Sequence, residues 1–268
     1  MAHDEERVKK FNTYAPPIPH LVLPPDLVKS KQVLVIGDVH GCYDELVELL
    51  EVAGVSNNPN AIVIFVGDLV NKGPKSKEVL DLVCDIGAYS VRGNHDHRCV
   101  IKLIKLREDP TFKLEEKYKW ISEIDDSYIK FFKQLPYTIS IPSLNAVIVH
   151  GGLVPGVPLN KQRPLDMMTM RNVVTSKDET TGNMILYNGV VQDSKGQSWA
   201  SFWTGPEHVY YGHDAARGLV MSSHATGLDT KCVYGHCLTG IFLTGKKQIV
   251  QVKAKRVYFD YRSDEFLD

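Results

Sequence analysis

The sequence predicts an α/β fold built on a largely parallel sheet, and three observations carry that expectation. Strand-like runs at residues 33–36, 61–66 and 89–92 are rich in β-branched residues and short enough to be buried strands. The segments between them, 43–52 and 76–86, space their apolar residues as amphipathic helices do. Each strand-like run also stops at a glycine, where the chain can turn sharply. A β-α-β-α-β start of this kind implies right-handed crossovers and parallel pairing.

Taken in order, residues 1–30 are polar and then proline-rich, with Pro16, Pro17, Pro19, Pro24 and Pro25, and read as an extended arm along the domain. The catalytic domain is expected to begin at Lys31 and run to the end as a single unit, 31–268, without a linker or an internal repeat. Leu46, Leu49 and Leu50 share one face of the first helix, which Gly54 would stop; Val79, Leu82, Val83 and Ile86 do the same for the second. Residues 97–135 read as helical with a break near Asp109-Pro110, their lysines and acids marking solvated faces. From Pro136 the pattern changes to short strands at 137–141 and 146–150, then a loop rich in glycine and proline to Pro158. Residues 171–207 are polar and read as irregular, with 177–183 an exposed loop and with Trp199 and Trp203 covering either the core or a cleft rim. Strands are expected at 209–211, 231–234, 239–244, 248–252 and 256–261.

A chain of 268 residues, 43% hydrophobic and 24% charged, can bury a large core. Its formal net charge of −1, without a basic stripe, gives no electrostatic basis for sequence-specific nucleic-acid binding, though it leaves a nucleotide substrate open. No apolar run is long enough to span a bilayer, and the charged N-terminus lacks a signal-peptide core. Five cysteines without a C-x-x-C pair read as reduced packing residues, which places the chain in the cytoplasm.

What the strand ends carry points to chemistry. One Asp after a strand is ordinarily a turn former or a helix N-cap. Here Gly37-Asp38-Val39-His40, Gly67-Asp68, Gly93-Asn94-His95-Asp96, His150-Gly151 and Gly212-His213 repeat the device five times, each time with a side chain suited to binding a metal. Open α/β sheets place ligand sites just past the carboxyl ends of their strands. Asp38, His40, Asp68, Asn94, His150 and His213 offer oxygens and imidazoles with no thiolate, a mixture that suits Mn²⁺, Fe or Zn²⁺. Six protein donors are too many for one catalytic ion, which must keep open positions. Two ions sharing Asp68 would use them all. In such pairs, roughly 3.5–4 Å apart, a bridging hydroxide can attack phosphorus in line.

The blocks Gly37-Asp-Val-His-Gly41, Gly67-Asp-Leu-Val-Asn-Lys-Gly73, Arg92-Gly-Asn-His-Asp96, His150-Gly-Gly152 and Gly212-His213 resemble, in order, the signatures of the calcineurin-like metallophosphoesterases of the phosphoprotein-phosphatase superfamily. Asn71-Lys72 and Leu228-Asp-Thr-Lys-Cys-Val-Tyr-Gly235 are most similar to the branch of symmetrical diadenosine tetraphosphatases and their ApaH-like relatives. The resemblance spans roughly residues 33–245. It implies a four-layer αββα sandwich, two mixed β-sheets flanked by helices. It also implies two divalent ions, with Mn²⁺ expected first: Asp38, His40 and Asp68 on one, and Asp68, Asn94, His150 and His213 on the other. His95 and Asp96 become the catalytic candidates, with His95 the acid that assists the leaving group. Lys72, Arg171 and His236 become the substrate contacts. Lys72 stands where protein phosphatases carry an arginine, a point charge in place of a bidentate fork. Asn71 stands where they carry an aspartate paired with the catalytic histidine, so Asn71→Asp is expected to support the His95 imidazolium.

The implied reaction is hydrolysis of phosphoanhydrides, dinucleoside polyphosphates before capped RNA or polyphosphate. A serine/threonine protein phosphatase is the main alternative, and a binding module that has lost catalysis is disfavoured by the complete donor set. Other motifs carry less. His97 and His224 have bland readings as a helix-start and a neighbouring histidine. Gly240-Ile-Phe-Leu-Thr-Gly-Lys-Lys247 approaches a P-loop but lacks its final Ser or Thr and reads as a strand entering a hairpin.

Overall fold

A computed structural model describes residues 14–177, 184–190 and 195–260. The first half alternates as expected: β1 (His20–Val22), α1 (Pro25–Val28), β2 (Gln32–Ile36), α2 (Tyr43–Val52), β3 (Ala61–Phe65), α3 (Ser76–Asp85), β4 (Tyr89–Ser90), α4 (Asn94–Glu108) and α5 (Asp126–Gln134). Then come β5 (Thr138–Ile141), β6 (Ala146–Val149), α6 (Pro164–Thr169), β7 (Asn172–Lys177), β8 (Met184–Val190) and β9 (Gln197–Ser198). Five strands finish the chain: β10 (His208–Tyr211), β11 (Val220–Met221), β12 (Ala225–Gly227), β13 (Cys237–Phe242) and β14 (Ile249–Lys253).

Two mixed sheets stack face to face. One has the order β14-β13-β2-β3-β4, and the other β1-β5-β6-β10-β12-β11. The alternation of side chains along each strand builds the layers. Val33 and Val35 of β2, with Ile62 and Ile64 of β3, face the second sheet and meet Ile139, Ile141, Ile148 and Tyr210. Their neighbours Leu34, Ile36, Val63 and Phe65 face the other way and are covered by Leu46 and Leu49 of α2, Val79 and Val83 of α3, and Val100 and Leu103 of α4. On the far face of the second sheet, Val147, Val149 and Tyr211 are covered by Met167, Met168 and Trp199. That outer layer is thin, with α6, the turn at Trp199 and the small sheet β8-β7-β9 standing where the other side has full helices. The architecture is therefore the four-layer αββα sandwich.

The details depart from the sequence reading in places where short elements carry little pattern. Residues 231–234 form no strand. Lys231 is left-handed (φ 63°), its N–H is held by Asp229 Oδ1 at 3.1 Å, and a 3-10 turn, Cys232–Tyr234, follows. The strand that enters this turn is β12, whose Ala-Thr-Gly has no apolar run to announce it. Residues 256–260 likewise form no strand, and Tyr261 lies outside the described residues. The span 171–207, read as irregular, contains the three-stranded sheet; most of the loop expected at 177–183 lies outside the described residues. The expected helix at 97 begins three residues earlier, at Asn94. The proline-rich segment supplies β1, which pairs in parallel with β5 (His20 opposite Thr138). Among the described residues no helix is long and apolar enough to cross a membrane.

Candidate metal and phosphate site

Every donor singled out above leaves the carboxyl end of a strand. Asp38 and His40 follow β2, Asp68 follows β3, Asn94 follows β4, His150 follows β6 and His213 follows β10. Because β2, β3 and β4 are mutually parallel, and β6, β10 and β12 likewise, these ends converge on one edge of the sandwich. The approach is close enough to require glycine. A Cβ on Gly93 would overlap the Asp68 main chain and carboxylate, and one on Gly212 would overlap the Asp38 carboxylate. Nine non-glycine residues among those described are left-handed, and five of them are His40, Asp68, Asn71, Lys72 and His213. Left-handed backbone costs a β-carbon residue on the order of 1–3 kcal/mol, and such strain concentrates at functional sites.

Asp68 lies at the centre. Its Oδ2 is 3.5 Å from His40 Nε2 and 3.3 Å from His150 Nε2, while its Oδ1 accepts the His95 N–H at 2.9 Å. His150 Nε2 is also 3.0 Å from Asn94 Oδ1, and its Nδ1 is 2.8 Å from the Val66 carbonyl. His40 Nδ1 faces the Val70 carbonyl at 3.2 Å, and His213 Nε2 faces Thr169 O at 3.0 Å. Each of these three imidazoles is thus oriented through one nitrogen by a main-chain carbonyl, an arrangement that fixes a ligand ring. Asp38 accepts the His213 N–H at 3.2 and 3.1 Å. Two clusters of buried donors share Asp68: one with His40 and His95, the other with His150 and His213. Oxygens and imidazoles around a shared carboxylate, with no thiolate among them, fit a pair of divalent ions.

The charges follow from burial and from two cations. Burial, then the Lys72 charge, lowers His40 to about 4 and holds His95 well below the usual imidazole range. Burial, then Arg171, does the same to His213. Burial would lower His150 too, but the charge and hydrogen bond of Asp68 outweigh it and raise His150 to about 9. Burial, then Asp229, pushes Asp38 upward. Lys72 therefore flanks the His40 and His95 end of the cluster and Arg171 the His213 end, where its guanidinium donates to the His213 carbonyl at 3.3 Å.

Two expectations need correcting. Asp96 does not face the donors as a catalytic group. Its Oδ2 accepts the N–H groups of Asp68 and Gly93 (both 2.9 Å) and its Oδ1 that of Leu69 (3.0 Å), so it braces the turns that carry Asp68 and Asn94. Asn71 does not address the His95 ring. Its amide donates to the His95 carbonyl (3.4 Å) and to Cys99 Sγ (3.2 Å), and its oxygen accepts the Trp120 indole N–H at 3.0 Å. Asn71→Asp would accordingly set a carboxylate against that carbonyl instead of supporting an imidazolium. His236 is exposed and stands outside the buried cluster, on a segment held by its main chain to Lys231 and Ala254.

Sequence reasoning missed Asp229, which is buried past the end of β12 and faces Asp38 and Lys72. It sits inside the block Leu228–Gly235, but β12 was not legible as a strand. Trp120 was missed as well. Of the two tryptophans left open, Trp199 covers the core, donating to the Gly151 carbonyl at 3.0 Å beneath His150.

The sequence pattern of the calcineurin-like phosphoesterase family matches residues 31–237. The chain belongs to this family. Among the relatives of this phosphoesterase, the asymmetrical bis(5'-nucleosyl)-tetraphosphatase PrpE of Oceanobacillus iheyensis is 26% identical over 253 residues, 87% of this chain and 96% of the relative. The symmetrical bis(5'-nucleosyl)-tetraphosphatase of Coxiella burnetii is 28% identical over 271 residues, 83% and 92% of the two chains. A crystal structure provisionally described as a diadenosine tetraphosphatase superposes with a TM-score of 0.74 at 34% identity, covering 88% of this phosphoesterase and 98% of that chain. A serine/threonine phosphatase from Saccharomyces cerevisiae shares the fold, with a TM-score of 0.58 at 16% identity over 96% and 89% of the two chains. The phosphoesterase is therefore a hydrolase with a candidate metal site.

Proposed function

We propose that this phosphoesterase hydrolyses phosphoanhydride bonds of dinucleoside polyphosphates, using two divalent ions, Mn²⁺ first among them. One observation carries the choice of anhydride over ester. The buried Nδ1 of His95 meets no hydrogen-bond partner among the described residues, and burial and the Lys72 charge hold the ring well below the usual imidazole range. A serine or other alkyl alkoxide is a poor leaving group and needs a well-supported acid. A phosphate or nucleotide leaves with a final pKa of only about 6, by analogy with phosphate monoesters, and scarcely needs the proton. An unsupported His95 suits the second kind of bond.

Asp38, His40 and Asp68 would hold one ion, and Asp68, Asn94, His150 and His213 the other. Bound there, the ions would supply Lewis-acid charge and acidify water. Lys72 and Arg171 then attract phosphate from opposite ends of the cluster, and His95 shields and orients the leaving oxygen more than it protonates it. We take residues 31–268 to act as one catalytic domain with the proline-rich segment laid along it, in a cytoplasmic setting that suits five free cysteines. The relatives include symmetrical and asymmetrical enzymes, so the bond that is cut is set by how the nucleotides sit beyond the cluster. The test is a substrate panel with metal-reconstituted protein. Diadenosine tetraphosphate should give the highest kcat/KM against capped RNA, polyphosphate and a phosphopeptide, and a phosphopeptide in first place would overturn the reading.

A further inference from the structure

We propose that the cavity between α4 and the 3-10 segment Glu116–Glu123 is a subsite for the phosphates of the leaving nucleotide. The inference rests on the proposed function, in which the leaving oxygen lies beside His95. It assigns a place to the charged chain that extends beyond that oxygen.

His95, Arg98, Lys102 and Lys105 recur every three or four residues along α4 and so share one face of the helix. The three cations of that face, with Lys117 of the facing segment, line a cavity of about 250 Å³ whose lining includes a single carboxylate, Glu115. Four cations and one carboxylate leave a surplus of three positive charges. The cations are engaged, and their partners hold them in position. Lys102 Nζ donates to Glu115 Oε1 at 2.7 Å and lies 4.2 Å from the Tyr118 ring centroid, Lys117 Nζ is 3.4 Å from Glu115 Oε2, and Arg98 hydrogen-bonds Tyr118. One carboxylate shared by two lysines cannot neutralise the group. A surface kept only for solubility intersperses both signs, as the exposed pairs Lys77 with Asp81 and Lys119 with Glu116 do. Here one sign is gathered in a concavity, the arrangement that concentrates an oppositely charged ligand.

Two links join this cavity to the His95 end of the donor cluster. Arg98 follows His95 by one helical turn, and the His95 ring, held down by burial and then by Lys72, also feels the Arg98 charge. Trp120, in the 3-10 segment that carries Lys117 and Tyr118, donates its indole N–H to Asn71 Oδ1 at 3.0 Å, which pins that wall to the turn bearing Lys72. A line of positive charge therefore leads away from the leaving-oxygen side of the site. The ten residues from His95 to Lys105 span about 15 Å of helix, a length comparable with an extended nucleoside polyphosphate. The leaving half of such a substrate carries several negative charges, and a basic face beginning beside His95 is placed to receive them.

Combining Lys105→Glu with Lys117→Glu tests this, because both side chains are exposed and neither belongs to the packed face of its segment. The probes are ADP and inorganic phosphate, each titrated into metal-loaded protein with Mn²⁺ in excess at physiological ionic strength. ADP binding should weaken about tenfold. Charges more than about 8 Å apart are largely screened under these conditions, so phosphate on the histidine cluster should lose less than about twofold. Lys105→Arg with Lys117→Arg keeps the charge and should hold ADP affinity within about twofold of wild type. In turnover the charge-reversed protein should show a raised KM for diadenosine tetraphosphate and a smaller change in kcat. Unchanged ADP affinity would overturn the proposal, and so would equal losses for ADP and phosphate, which would mean a diffuse field in place of a subsite. A lower melting temperature with ADP binding unaltered would show that the two lysines are structural and would overturn it too. ADP binding does not depend on which anhydride is cleaved. If diadenosine tetraphosphate proves a poor substrate while charge reversal still costs ADP affinity selectively, the substrate reading falls and the subsite stands.

Discussion

At the floor of the site, Asp38, Asp68, Asn94, His150 and His213 leave the ends of buried strands and are gripped by main-chain groups or by one another. At the rim, Lys72, Arg171 and Tyr234 hang from turns and are only partly covered, and His236 is exposed. The floor residues have almost no freedom to choose another position, because glycines at 93 and 212 bring neighbouring strand ends into contact. Lys72 and Tyr234 are placed by turns with left-handed residues, Asn71 and Lys72 in one and Lys231 and Gly235 in the other, and Arg171 by the link between α6 and β7. On the function proposed above, the floor would carry the phosphorus chemistry and the rim would select what is brought to it.

The largest effect should come from breaking the floor at its centre. Asp68→Ala removes the carboxylate that both donor clusters share and the acceptor of the His95 N–H, so activity should fall to the detection limit. Metal analysis should then find both ions lost, whereas His40→Ala should chiefly weaken one. A single tightly bound equivalent in active wild-type protein would rule out the shared-carboxylate arrangement.

A second, smaller effect separates chemistry from positioning. General acid catalysis is typically worth about 10²–10⁴-fold, and His95→Ala should show a loss of that order on an alkyl phosphate. On a nucleoside polyphosphate the loss should be much smaller. Equal losses on the two substrates, with folded and metal-replete protein, would show that the leaving-group argument is wrong. At the rim, Arg171→Ala should raise KM by about tenfold while changing kcat less, since it removes a charge at the His213 end and touches the donors only through one hydrogen bond to the His213 main-chain carbonyl. Comparable falls in kcat and kcat/KM would move Arg171 from rim to floor.

The same division explains what the sequence disclosed. Asp38, Asp68 and His150 follow apolar runs that announce their strands, so their convergence is legible in the sequence alone. Asp229 plays a comparable part from the end of β12, yet a three-residue Ala-Thr-Gly strand has neither length nor an apolar face to reveal it. Asp96 carried the opposite difficulty. Its spacing after Asn94 and His95 gives it the look of a catalytic carboxylate, and only the three main-chain N–H groups around it show a brace. Rim contacts such as Lys72 with Tyr234 join residues 162 positions apart in the chain, and no local pattern encodes them.

The smallest effect separates the floor's own electrostatics from what the ions do. In metal-free protein the His150 imidazole is raised to about 9, from an ordinary value near 6.5, because Asp68 outweighs burial. A folded-state pKa above the unfolded value means stability that is fully present below about 6.5 and is lost as pH rises through about 9. His40 runs the other way. Lowered to about 4, it leaves the unfolded chain binding more protons between about 4 and 6.5, so its contribution grows with pH over that window and then levels off. The His150 contribution should therefore show in chelator-treated protein as a melting temperature that declines from about pH 6.5 towards pH 9, whereas on the acid side the gain from His40 is opposed by Asp96, whose buried carboxyl is raised to about 7. Metal-loaded protein should melt higher and lose the alkaline decline, since His150 must already be deprotonated to serve as a ligand. A parallel alkaline decline in both forms would mean that the ions do not engage His150, and would confine the metal site to the His40 end of the cluster.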